Sequence, residues 1–459
     1  MMFFIGNEII NLLKARSKLA EGNQIKIEKI CTDSRAVNSG DLFVAIKGEN
    51  VDGHDFVKSA IEKGAAAALV EKNIDGVDES KLLIVPSSVG ALIDLAKYNV
   101  SKSHAKFIGV TGSVGKTTTK EMIRHILSTQ NDKKIYASEK NLNSQIGLPI
   151  CAAMMPSDTD IGVFEMGMSQ AGELRKLVDI VPPEIAVISK ICEVHSEFFN
   201  CEWDIAKAKS EILEAQQPPK VLIIPADSPY SDFLKQKAKN LEVKEVYTFG
   251  ESVGDAKVLS VEKNSQGTKI SAMFFGEFVD YVIQGANRSV ILNSLAAIMA
   301  AYFASGMEIL TLAQTLRSFN KVDGRGNIIL KNDVTIIDDS YNAGPTSVHA
   351  AIETLSEYPG RKILVLGDMF ELGYRSRYFH ENLSAAVDKF KIDLVFTCGD
   401  LMKYLFDNLQ ESKRGGWGKN SEELIPQIRD CLQKNDVILI KGSHSMHMDK
   451  IVKELTNVL

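Results

Sequence analysis

One stretch limits this chain more than any other: Gly109 to Glu121, GVTGSVGKTTTKE, directly behind the apolar pair Phe107-Ile108. A strand, a glycine loop and a helix start are the parts of a phosphate cradle. Gly112 and Gly115 let successive backbone N–H groups converge on an anion, with Ser113 and Val114 between them. Lys116 adds a point charge toward the terminal phosphates, and Thr117, followed by Thr118, offers a hydroxyl to magnesium. Helical periodicity follows at once in Met122, Ile123, Ile126 and Leu127. The strict GxxxxGK[ST] pattern fails because Val110 stands at its first glycine. An ordinary glycine turn is the bland alternative, and Gly-Lys-Thr at a strand–helix junction argues against it. The segment implies that the chain binds ATP.

With 459 residues, the length predicts roughly three domains. A 45% hydrophobic and 24% charged composition is that of an ordinary globular protein. The net charge of -6 argues against nucleic acid as a partner, which would call for a basic face. The start, MMFFIGNEIINLLK, lacks a basic n-region and its apolar run is broken by Gly6, Asn7 and Glu8, so it does not read as a signal peptide. The apolar run Leu295 to Ala304 is too short to span a bilayer. A cytoplasmic protein without membrane insertion is expected. The six cysteines form no CxxC pair, as for reduced thiols. Cys192, His195 and Cys201 lie close together, but zinc would want a fourth soft ligand nearby.

Three regions differ in texture, taken as residues 1–85, 86–318 and 319–459. The first predicts a small α/β unit, with strands at Leu42 to Ile46 and Ala66 to Val70 around a helix from Phe56 to Lys63. A helical link, Gly90 to Val100, leads to the second, with strands at Ile161-Glu165, Ala186-Ser189 and Val221-Pro225 and a buried helix from Leu292 to Phe303. Strands alternating with helices imply a mostly parallel sheet. The third carries strands Val334-Ile337, Ile363-Leu366, Leu394-Thr397 and Val437-Ile440. Each runs out into polar or small residues: Asp338-Asp339-Ser340, Gly367-Asp368, Gly399-Asp400 and Lys441-Gly442-Ser443. Such exits are expected to share one ligand-facing edge, although Gly399-Asp400 reads better as a turn.

Near the cradle, Glu165 ends the strand IGVFE, where a hard carboxylate suits magnesium. His195 follows another strand exit, and a lone histidine is more often structural than functional. Lys207 and Lys209 lie in IAKAKSEI, where a lysine pair is usually a solvated face. Taken in order, GVTGSVGKTTTKE, NLNSQIGLP, FEMGMSQAGEL, IAKAKSEI, DDSYNAGP and LGDMFELG resemble the motif series of the Mur ligases. CTDSRAVNSGDLFVAIKGENVDGHDF is similar to their uridine-nucleotide domain. The resemblance covers nearly the whole chain. It implies three α/β domains: a small uridine-nucleotide domain, a central P-loop ATPase-type parallel sheet and a C-terminal Rossmann-like domain. The series is most similar to that of the members joining D-alanyl-D-alanine to UDP-N-acetylmuramoyl-tripeptide. The diamino-acid-adding branch is disfavoured, since its DNPR motif is absent and DDSYNA replaces its DYAH.

Residue by residue, the resemblance implies Lys116 and Thr117 on the ATP phosphates, and Thr117, Glu165, His195 and Lys209 around magnesium. Lys209 matches a lysine carbamylated in many members, and Lys207 is its solvated neighbour. Asn293 would meet the adenine, Arg325 the γ-phosphate, and Asp339, Tyr341 and Asn342 the nucleotide. Ser34 and Arg35 would hold the uridine diphosphate end of the substrate, and Asn143 and Ser144 would be further substrate-binding residues. The chain departs from the family at Asn287-Arg288-Ser289-Val290, at Gly344, and at His444 and His447, where arginines are usual. The implied activity is ATP-dependent amide-bond formation by a monomer, in cytoplasmic peptidoglycan precursor synthesis. A folylpolyglutamate synthetase-like ligase would share the cradle without the DSR and DGHDF region. A plain NTPase would share only the cradle.

Overall fold

The computed structural model describes residues 3–18, 24–48, 51–129, 132–139, 142–193, 197–199, 201–264, 267–320 and 322–458. His195 lies outside them. Between Ile30 and Ile84 a parallel sheet runs in the order Ile30–Cys31, Leu42–Val44, Ala67–Val70, Leu82–Ile84. The predicted helix here splits into a 3-10 turn, Gly53–Phe56, and a helix, Val57–Glu62. His54 fastens this turn: its Nδ1 donates to Asp52 Oδ1 at 2.6 Å while its Nε2 accepts the Glu71 N–H at 2.9 Å. Within DGHDF, then, the histidine is a fold staple.

A nine-stranded sheet follows. Its parallel part runs Glu245–Gly250, Val221–Pro225, Ile185–Ile188, Lys106–Thr111, Ile161–Glu165, Ile135–Ala137. Beyond Glu245–Gly250, the strands Ala256–Asn264, Gly267–Phe274 and Glu277–Ile283 extend it as an antiparallel meander. From Lys106–Thr111 the chain builds one side of the sheet and then crosses to the other, so the phosphate loop leaves at the switch point, where ligands bind in open α/β sheets. Alternate residues feed opposite faces: Ile185 and Val187 one core, Ala186 and Ile188 the other.

The helix Ser88–Lys102, capped by Ser87 accepting from the Gly90 N–H, is more than a link. Leu92, Leu95 and Ala96 are buried in a core that runs unbroken from Leu42 and Leu69 of the small sheet to Phe164 and Ala186 of the large one. On the other face, Arg288–Ser305 packs against Lys116–Ser128. Among the described residues this one helix is long and apolar enough to cross a membrane by length and composition, but most of it is buried in the core.

A six-stranded sheet ends the chain, ordered Asn327–Lys331, Val334–Asp339, Val437–Lys441, Lys362–Gly367, Leu394–Cys398, Arg414–Gly418. The first pair is antiparallel and the rest parallel. Insertion of Val437–Lys441 between Val334–Asp339 and Lys362–Gly367 makes a second switch point, beside Asp339 and Lys441.

Candidate active site

The phosphate loop holds the shape its glycines allow. Gly112 and Gly115 take φ of +144° and +95°, and a Cβ at Gly112 would lie 2.0 Å from Ser189 Oγ. Val110 is buried in the strand, so a glycine is not needed at that position. The first helical bond runs from Thr119 N–H to Gly115 O, leaving the first-turn amides without intrahelical partners. Lys116 turns back on its own loop, donating to the carbonyls of Gly112 at 2.9 Å and Ser113 at 3.3 Å. Burial lowers its pKa, while the Glu165 carboxylate opposes that shift.

A cavity of about 710 Å³ opens over this loop. Ser113 to Thr118, Asn143, Ser144, Glu165 and Asn293 line it from the large sheet, and Arg325, Asp339, Tyr341, Asn342 and His444 from the C-terminal one. Glu165 is buried; Oε1 accepts from Asn143 Nδ2 at 2.6 Å and Oε2 has no partner among the described residues. Arg325 crosses between units, its guanidinium 3.9 Å from the centre of the Tyr341 ring and Nη2 3.4 Å from Thr117 Oγ1. Asn293 packs against Gly115, where a Cβ would meet Oδ1 at 2.6 Å.

Lys209 is fully buried at the end of Glu202–Lys209, and its Nζ has no hydrogen-bond partner among the described residues. Burial, reinforced by the charge of Lys116, holds its pKa well below the ordinary lysine value. Lys207 instead faces solvent and donates to Asp204 at 3.0 Å. Ser34 and Arg35 are not brought to the cavity. They sit on the exposed rim of the small sheet, where Arg35 Nε donates to Asp33 Oδ1 at 2.9 Å and holds that carboxyl at about 2.

All four strand exits share one edge of the parallel sheet, as expected, but only two of them face the cavity. Asp339 and Lys441 line the cavity, joined at 2.6 Å, with Lys441 also donating to Asn342 O at 2.9 Å. Asp368 is spent on structure, accepting the Met402 N–H at 2.6 Å, and Gly399 leaves no room for a side chain beside it. Lys441 as an anchor was passed over; its signal was a lysine ending an apolar strand. Gln145 and Glu173 were also missed. They form a 2.8 Å hydrogen bond on the cavity wall.

The loop carrying Phe370, Glu371 and Leu372 to the cavity is pinned by buried His380. Its Nε2 accepts the Met369 N–H at 3.0 Å and its Nδ1 donates to Ser376 O at 2.7 Å. Burial lowers the pKa, so the folded protein prefers the neutral ring. This contribution is fully present above about pH 6.5, the free-histidine value, and is lost as pH falls toward the depressed folded pKa. Nearby Asp368, whose pKa burial raises, acts in the opposite sense and nearer the carboxylate range. Melting temperature is expected to drop between pH 7.5 and 5.5, and less so in His380→Gln; equal slopes for both proteins would refute the assignment.

Three family models match in succession: the "Mur ligase family, catalytic domain" over residues 26–93, the "Mur ligase middle domain" over 110–301, and the "Mur ligase, glutamate ligase domain" over 324–444. UDP-N-acetylmuramoyl-tripeptide--D-alanyl-D-alanine ligase of Rickettsia prowazekii is 36% identical over 432 residues, covering 94% of this chain and 95% of that protein. The crystal structure of MurF from Acinetobacter baumannii superposes with a TM-score of 0.87 at 28% identity, covering 99% of both chains. MurF from Thermotoga maritima in complex with ADP gives 0.80 at 29% identity, covering 94% and 97%. With a phosphate loop, a buried carboxylate and a cross-domain arginine around one cavity, and likeness along nearly its whole length, this chain belongs to the Mur ligase family.

Proposed function

We propose that this chain is the ATP-dependent ligase that joins D-alanyl-D-alanine to UDP-N-acetylmuramoyl-tripeptide in peptidoglycan precursor synthesis. The observation that carries the reading is the single cavity in which the phosphate loop meets Arg325, Asp339 and Tyr341. A carboxylate is a poor acyl donor; ATP with magnesium supplies the phosphoryl group that turns it into an acyl phosphate. The dipeptide amine then attacks, and phosphate leaves through a tetrahedral intermediate.

This chain's residues align the reactants and neutralise charge. Lys116 and the first-turn amides hold the phosphates, and Arg325, braced on Tyr341, faces the γ-phosphoryl group. The metal's fit rests on Glu165 Oε2, an unpartnered buried carboxylate oxygen in the same cavity as the Thr117 hydroxyl. Among the described residues no three His, Cys, Asp or Glu side chains cluster. That suits magnesium, which uses one or two carboxylates with phosphate oxygens. His195 completes the ligand set in this reading. The neutral amine of Lys209 adds to carbon dioxide, forming an N–C bond and losing one proton, to give an anionic oxygen donor. Asn293 and Asp339 to Asn342 contact the nucleotide, Ser34 and Arg35 the uridine diphosphate, and Asn143 and Ser144 the peptide. The cavity is built from one chain, so a monomer suffices, working in the cytoplasm where ATP and nucleotide sugars are found.

Phosphate release is expected only with ATP, magnesium, tripeptide nucleotide and D-alanyl-D-alanine together, with one amide formed per phosphate. Release without the peptide substrates would make the chain a plain NTPase and end this reading.

A further inference from the structure

The C-terminal unit touches the large sheet on both sides of the cavity. On one side Lys263 pairs with Glu357, both half exposed, a kind of contact that contributes little. The other side is built more closely. Arg375 pairs with Glu193, their side chains 36% and 22% exposed. The Glu197 N–H donates to Glu371 O at 3.3 Å, and a Cβ on Gly373 would lie 3.1 Å from Glu197 Cα. The partners are fixed independently. Arg375 lies 4.7 Å from the centre of the Phe379 ring, and the Glu193 N–H donates to Glu202 Oε1 at 3.0 Å.

Glu193 ends a short strap that seats the phosphate loop. Lys190 O accepts the Ser113 N–H at 2.8 Å. At Cys192, the carbonyl accepts from the Ser113 hydroxyl at 2.8 Å and the N–H donates to it at 3.1 Å. One peptide bond therefore separates the loop's support from the residue that Arg375 grips.

We propose that Arg375 is a positioning residue that couples closure of the C-terminal unit to the seating of the phosphate loop. The Arg375–Glu193 pair exists only when the units are together, so its energy biases the closed state. Arg325 and Asp339 ride on the same unit. Losing the grip on Glu193 therefore loosens their register over Thr117 without altering either residue. The inference rests on the ATP-dependent ligase reading.

The test uses the full chain with two readouts, ligase turnover and X-ray scattering with AMP-PNP and magnesium. Wild type is expected to contract on adding nucleotide. Arg375→Ala should bind nucleotide, fail to contract and lose about tenfold in kcat, with an unchanged melting temperature. Arg375→Lys should recover part of this, and the swap Glu193→Arg with Arg375→Glu should return to within about threefold of wild type. Should Arg375→Ala fold poorly, Glu193→Gln carries the same expectation. Retained contraction, retained kcat, or a swap no better than either single variant would overturn the coupling. Wild type that contracts without ligase turnover would sink the ligase reading instead, and scattering alone would then decide the coupling.

Discussion

Lys209→Met is expected to lower kcat by roughly 10²- to 10³-fold, the scale for removing one group that meets developing charge. Fold stability should be unchanged or higher. A fully buried amine without a partner costs free energy, and methionine fills most of its volume. A residue whose removal improves the fold and ruins turnover is held in place by function. Melting curves beside single-turnover kinetics separate the two effects, and wild type incubated with ¹³C-bicarbonate should show a carbamate carbon that the variant lacks. Turnover within about threefold of wild type would remove Lys209 from the site, since roughly 0.7 kcal/mol is too little for such a group.

Lys116→Ala is expected to cost at least about 10³-fold in kcat, the lower range for losing a cation that neutralises a transferring phosphoryl group. It differs from Lys209 in what happens without nucleotide. The Lys116 ammonium occupies the carbonyls of Gly112 and Ser113, so its loss should loosen the loop as well. ADP affinity measured by calorimetry should therefore fall alongside kcat. Lys207→Ala, which removes the exposed contacts with Asp204 and with the Trp203 ring 5.8 Å away, serves as the control and should stay within about twofold. Equal behaviour of the two variants would refute the cradle.

What the sequence disclosed follows from how local each signal is. The phosphate loop was legible despite its missing glycine, because the positive φ angles fall at Gly112 and Gly115 while Val110 lies in the strand. The strand exits at Asp339 and Lys441 were legible as an edge, but two of their companions were absorbed by the fold. The meander Ala256–Asn264, Gly267–Phe274 and Glu277–Ile283 was missed. Its middle strand buries every second residue, a period-two signal weaker than the apolar runs of the parallel strands. Nothing local announces the Arg375–Glu193 pair, since 182 residues separate its members and either alone reads as a surface charge.

The core that runs from Leu69 through Leu95 to Phe164 has a consequence for building chimeras. Exchanging the C-terminal unit between relatives cuts no shared interior, so hybrid enzymes with a foreign C-terminal third should express as folded proteins. Exchanging the first 85 residues would leave the partners of Leu92, Leu95 and Ala96 mismatched, and Asn99 would still bond Ala152 O and Met155 O, at 2.8 Å each, beneath a foreign roof. Recombination should therefore tolerate a crossover near residue 320 and select against one near residue 86.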